Sequence, residues 1–134
     1  MPVAPVPYLH LAGTARDALA FYAGVFGGRA LVHTLADFNR TDGPADAIAH
    51  GQLIDGPVAL FAADAVADEP SVLGEGWMLS LLGTADPDTM RAWFAALADG
   101  GTVLDDLQRR PWGAFDGRVV DRFGLQWLIG FEGD

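Results

Sequence analysis

The strongest constraint on this chain is that its pattern occurs twice. Phe21-Tyr22 is followed by Gly28, and Trp93-Phe94 by Gly100, at the same spacing. Gly51-Gln-Leu-Ile-Asp55 and Gly117-Arg-Val-Val-Asp121 share a second common offset. Each copy carries one strand, one helical pattern and then three more strands, so two β-α-β-β-β units are predicted. A lone unit of this kind has one amphipathic helix and a sheet with an uncovered face. Two such units side by side can curl their sheets around a shared concave space, with the helices outside. The expected class is α+β, with cup-shaped mixed sheets, in a single domain over residues 1–134. Module one is expected at 6–64, a linker at 65–76 and module two at 77–131.

Local signals place the elements. In the first copy Pro7–Leu11 reads as a strand, with Gly13-Thr14 as the break. Thr14 is the expected N-cap, and Asp17 sits in the first turn where a carboxylate suits the helix dipole. Ala18, Leu19, Phe21, Tyr22, Val25 and Phe26 follow at helical spacing, and Gly27-Gly28 ends the helix. Ala30–Leu35 reads as a strand and Asp37–Ala47 as a loop. His50–Ile54 and Val58–Ala63 read as a hairpin around Asp55-Gly56-Pro57. In the second copy Trp77–Leu82 is a strand, Asp86 an N-cap and Pro87 the first helical residue. Met90, Trp93, Phe94 and Leu97 form the apolar face, and Gly100-Gly101 stops the helix. Thr102–Leu104 is a strand and Asp105–Pro111 a loop. Gly117–Val120 and Leu125–Ile129 are the last two strands, joined by a turn over Asp121–Gly124.

Composition removes several classes of function. The chain has 134 residues, a formal net charge of −10 and no cysteine. Disulfides, thiolate metal sites and cysteine nucleophiles are excluded. The acidic balance argues against nucleic acid and anionic membranes as partners. No apolar run reaches about 18 residues, so no membrane span is expected. Met1–Pro7 lacks the basic-then-apolar pattern of a signal peptide, so a cytoplasmic location is expected. All eight basic residues are arginine, which together with abundant Ala and Gly fits a GC-rich bacterial genome. No glycine-rich phosphate loop and no nucleophile motif is present.

Three stretches carry a family resemblance. Pro7-Tyr-Leu-His-Leu11, the run from Ala15 through Phe21-Tyr22 to Gly28, and Trp112-Gly113 with Asp121-Arg-Phe-Gly-Leu-Gln-Trp127 resemble the PhnB-like branch of the vicinal-oxygen-chelate superfamily. That superfamily includes glyoxalase I, extradiol dioxygenases and bleomycin-resistance proteins. The resemblance covers nearly the whole chain and implies paired βαβββ modules, usually in a homodimer. One scaffold hosts lyases, dioxygenases, epimerases and binding proteins, so the fold alone names no reaction.

The resemblance also implies where a metal would sit. Enzymes of the superfamily hold a divalent ion with two ligands from each module, and the ion acts as a Lewis acid. His, Glu and Gln are the usual ligands. Carried onto this chain, the four positions are Val6 (or Pro7), Phe61, Met78 and Leu128. None offers a nitrogen or oxygen side-chain donor, so no metal at that place and no cofactor are expected.

Strand alternation then picks the pocket. With Val6, Tyr8 and His10 share a face; Ala59 and Ala63 lie beside Phe61, Ser80 and Leu82 beside Met78, Gln126 and Gly130 beside Leu128. The expected ligand-binding set is Tyr8, His10, His50, Phe61, Ser80, Trp112, Gln126 and Leu128: an apolar cup with a few polar handles. His10 is either a hydrogen-bonded strand histidine or a general base. His50 is either a rim contact or structural, and His33 is expected at the surface. The three histidines sit on three strands, with nothing to bring them together. Trp112 is expected to wall the pocket or a dimer interface, or simply to pack. Glu75 is expected in solvated linker, and Asp64, at the end of a strand, as a cap of that linker. The first reading is a metal-independent small-molecule-binding protein, serving drug or metabolite sequestration. The alternative is a lyase or isomerase with a relocated metal or with His10 as base. A third is a protein that chiefly dimerises, its cup filled by its own side chains.

Overall fold

The first strand sets the geometry of the first half. In the computed structural model, which describes residues 4–66, 68–71 and 76–133, β1 (Tyr8–Leu11) buries Leu9 and Leu11 and turns Tyr8 and His10 to the opposite face. The helix α1 (Ala15–Phe26) covers the buried face through Ala15, Ala18, Leu19, Tyr22 and Phe26. Three more strands follow: β2 (Arg29–Thr34), β3 (Ile48–Ile54) and β4 (Leu60–Asp64). Their order in the sheet is β1-β4-β3-β2, with β1 parallel to β4 and the other pairs antiparallel. Leu53, Leu60 and Ala62 complete the core beneath the helix. Burying one such Leu or Tyr side chain is worth about 2–3 kcal/mol.

The second half repeats the plan. It comprises β5 (Leu79–Leu82), α2 (Pro87–Ala98), β6 (Thr102–Arg109), β7 (Phe115–Val120) and β8 (Gln126–Phe131). The sheet order is β5-β8-β7-β6, with β5 parallel to β8. Met90, Trp93, Phe94 and Leu97 pack onto Val119, Trp127 and Ile129. By their internal contacts the halves form two compact units, 1–72 and 73–134. Two four-stranded mixed sheets, each with one helix, make this an α+β fold of two βαβββ modules.

A close approach recurs in both units. Gly28 has φ 93°, and a Cβ there would collide with the Ile54 carbonyl oxygen. A Cβ at Gly101 would likewise collide with the Val120 carbonyl oxygen. In each unit the chain leaving the helix passes directly over the end of a strand, a contact that only glycine permits.

Several local expectations change. Residues 105–109, expected as loop, belong to strand β6, paired with β7 through two register shifts. Its polar residues suit an edge strand with little buried surface, and that polarity resembles a loop. β5 begins at Leu79, so Trp77 and Met78 precede it. Residues 36–38, between the expected strand and the start of the expected loop, form a 3-10 turn. Thr14 makes no side-chain bond at the start of α1. Asp64 does so from β4: its Oδ1 accepts from the Ala15 N–H at 2.9 Å, and its Oδ2 from the Ile48 N–H at 2.9 Å. The Asp86 carboxylate accepts from the Thr89 hydroxyl and caps no backbone N–H. Glu75 lies outside the described residues. No helix among the described residues is long and apolar enough to cross a membrane.

Candidate functional site

On the face of the first sheet away from α1, four rings converge. Tyr8 is in register with Phe61, and Phe61 with Gln52 on β3. Alternation from Gln52 puts His50 on the same face. The Tyr8 ring lies 5.5 Å from His50, 5.6 Å from His10 and 5.9 Å from Phe61, and His50 lies 5.4 Å from Phe61. Such spacings fit tilted and edge-to-face contacts between aromatic rings.

A polar chain runs through these rings. Gln52 Nε2 lies 3.0 Å from His50 Nε2, and His50 Nδ1 lies 2.8 Å from Tyr8 Oη. Both imidazole nitrogens are therefore engaged. His10 differs: its ring touches Tyr8, but its nitrogens have no hydrogen-bond partner among the described residues. Partial burial pushes the Tyr8 phenol above its ordinary value, and the nearby Arg40 guanidinium partly offsets this. Tyr8 thus stays protonated at neutral pH and can act as a donor. Arg40 is itself held by Asp42, its Nε 3.0 Å from Oδ1.

Tyr8, His10, Pro70 and Ser71 line an open groove of about 380 Å³. Of the expected residues, Tyr8, His10, His50 and Phe61 are brought together on this face. Three contributors were absent from the expected set: Gln52, Pro70 and Ser71. Gln52 could have been found by alternation from His50. Pro70 and Ser71 belong to a stretch with no periodicity, so nothing in the sequence ties them to β1. His33 is half-buried, meets the Phe38 ring in a tilted contact at 5.6 Å and lies in register with His50.

On the second sheet Ser80 is in register with Leu128, and Leu128 with Arg118. Gln126 lies two residues before Leu128, on the same face and half-buried. These three sit on the face away from α2, because Val119, Trp127 and Ile129 take the buried side. Trp112 occupies the turn between β6 and β7, where Gly113 N–H donates to the Arg110 carbonyl, and its side chain is 72% exposed.

A family model for the glyoxalase/bleomycin resistance protein/dioxygenase superfamily matches residues 8–129. The chain belongs to that superfamily. A solved structure of protein PA1353 from Pseudomonas aeruginosa is 32% identical, with a TM-score of 0.79 over 99% of this chain and 100% of its own. Protein YjdN of Escherichia coli is 28% identical over 96% of this chain and 94% of its own length. A PhnB protein from Bacillus cereus shares the fold at 18% identity, with a TM-score of 0.76 over 98% of this chain and 100% of its own.

Membership in the superfamily raises the question of its divalent metal. At the four positions carried over by resemblance stand Val6, Phe61, Met78 and Leu128. Phe61 packs at tilted angles against Tyr8 and His50, and Val6 and Met78 are part-exposed hydrophobes. Hydrocarbon and a soft thioether do not fit a hard or borderline cation. The histidines do not replace them. His10 is in register with Ala63 of β4, which separates it from His50 on β3. Among the described residues no group of three or more His, Asp or Glu is close enough to hold a metal ion.

Proposed function

We propose that this superfamily member binds a small, partly apolar molecule without the usual metal. The observation that carries the reading is the groove of Tyr8, His10, Pro70 and Ser71, backed by the Phe61 and His50 rings. Apolar walls with a few placed polar groups are what a small-ligand site needs. Sequestration of a drug or metabolite is the role in keeping with that chemistry. On the second sheet, considered by itself, Ser80, Gln126 and Leu128, with Trp112 at its hairpin turn, are proposed as ligand-contacting residues. We also propose, in keeping with the family resemblance, a homodimer in the cytoplasm.

A thermal-shift screen of aromatic metabolites and antibiotics tests the binding reading. Hits that disappear in Tyr8→Ala support it, and a screen with no hit counts against it. Elemental analysis of protein purified without chelator tests the metal-free part: about one divalent ion per chain would overturn it. One observation favours a second reading, a lyase or isomerase using His10 as base. The His10 imidazole lines the groove, and neither nitrogen has a hydrogen-bond partner among the described residues, which suits a general base. That reading requires a turnover which His10→Ala abolishes without lowering the melting temperature. Sedimentation at several concentrations tests the dimer, and a monomer at all of them rules it out.

A further inference from the structure

We propose that the groove recognises a planar, uncharged carbonyl compound through the Tyr8 hydroxyl, and that Gln52, acting through His50, fixes this hydroxyl as a donor. The inference rests on the small-molecule reading above and specifies the ligand class.

The argument follows the protons. The side-chain nitrogen of glutamine only donates. Facing His50 Nε2 at 3.0 Å, it requires that nitrogen to accept. A neutral imidazole then carries its proton on Nδ1. Nδ1–H therefore donates to Tyr8 Oη, 2.8 Å away. Tyr8 has no other hydrogen-bond partner among the described residues. Its own O–H is left for whatever enters the groove. Were Gln52 to offer its oxygen, the chain would reverse and Tyr8 would spend its proton on His50. Gln52 and His50 are thus positioning residues, and Tyr8 is the contact.

The surroundings narrow the ligand. Among the described residues no carboxylate lines the groove, so none of them there demands a cation. The Arg40 guanidinium, whose charge reaches Tyr8, is bonded to Asp42, and the chain carries a net charge of −10. An anion is therefore disfavoured. Tyr8 and His10 rings and the Pro70 ring make flat walls, and Ser71 adds a hydroxyl. A flat molecule with a conjugated carbonyl meets all of these conditions.

The test uses the full chain labelled with ¹⁵N and two bicyclic probes, coumarin (with a carbonyl) and naphthalene (without one). Imidazole ¹⁵N shifts read the His50 tautomer, and the backbone amides of Tyr8 and Ser71 read binding. We expect the Nδ1–H tautomer and a three- to tenfold preference for coumarin, roughly what one neutral hydrogen bond supplies. Tyr8→Phe should erase the preference while naphthalene still binds. Gln52→Glu, whose carboxylate offers Nε2 only acceptors, should move the proton to Nε2 and reduce the preference. An Nε2–H tautomer in the wild type overturns the proposal, as does a preference that survives Tyr8→Phe. Equal affinities overturn the ligand class and leave small-molecule binding intact. If neither probe shifts the groove amides, the small-molecule reading of this groove fails with it.

Discussion

At the residue scale one carboxylate has an outsized structural part. Asp121 is 3% exposed and looks in the sequence like an ordinary turn residue. Its Oδ1 accepts from the Phe123 N–H at 2.8 Å and the Leu125 N–H at 3.2 Å. Its Oδ2 accepts from Trp127 Nε1 at 2.8 Å. One buried anion therefore ties the turn to the largest side chain of the second core. Hydrogen bonds to a charged group are worth about 1.5–3 kcal/mol, and truncation leaves the indole N–H buried without its acceptor. Asp121→Ala should lower unfolding stability by about 3 kcal/mol in urea denaturation, with Trp127 fluorescence following the transition. A loss under about 1 kcal/mol would mean the turn holds without it. The Tyr8 phenol supplies a second test at this scale. Its proton is held more tightly in the folded chain, because burial raises its pKa from 10.0. The associated stability is complete below about pH 10 and is lost as pH rises through the folded value. Ultraviolet titration of wild type against Tyr8→Phe should show the missing phenol as one that ionises above pH 10.

At the element scale the two helices were legible and their caps were not. Apolar spacing from Ala18 to Phe26 and from Met90 to Leu97 identifies both helices, since a 3.6-residue stripe must face a core. Strands with alternating burial, such as β1, were equally plain. β6 was not, because Asp105, Asp106, Gln108 and Arg109 give an edge strand the polarity of a loop. What holds it is contact across the chain: Arg110 reaches both Asp105 and Asp116. The same logic hid the cap of α1. Thr14 is the local candidate, but Asp64, distant in sequence, takes the Ala15 N–H. Asp64→Ala should cost about 1–2 kcal/mol, the range for losing an N-cap, while Thr14→Ala should cost under about 0.5 kcal/mol. Equal losses in chemical denaturation would return the cap to Thr14. The candidate site divides in the same way. Tyr8 and His10 could be grouped from strand alternation and Phe61 added from the family resemblance, whereas the Tyr8–His50–Gln52 chain depends on a register that brings β1 and β3 to either side of β4.

At the scale of the whole molecule the charge decides how the chain behaves in salt. Eighteen acidic residues face eight arginines, for a net charge of −10. Four arginines are spent on visible ion pairs: Arg29 with Asp55, Arg40 with Asp42, Arg110 with Asp105 and Asp116, and Arg122 with Asp99. Most of these pairs lie at the surface, where each contributes about 0–1 kcal/mol and weakens as salt rises. Against them stands the mutual repulsion of the remaining carboxylates, which acts over the whole surface and opposes the folded state. Raising ionic strength from about 0.01 M to about 0.15 M shortens the screening length from about 30 Å to about 8 Å. Repulsion between carboxylates spread over the surface is long-ranged and is screened strongly. The ion pairs are in contact and lose less. The melting temperature should therefore rise with sodium chloride over this range. A fall would mean that the surface ion pairs outweigh the repulsion. The same unpaired negative surface predicts no retention on heparin and no binding to anionic vesicles at low salt, where attraction to a basic patch would be strongest.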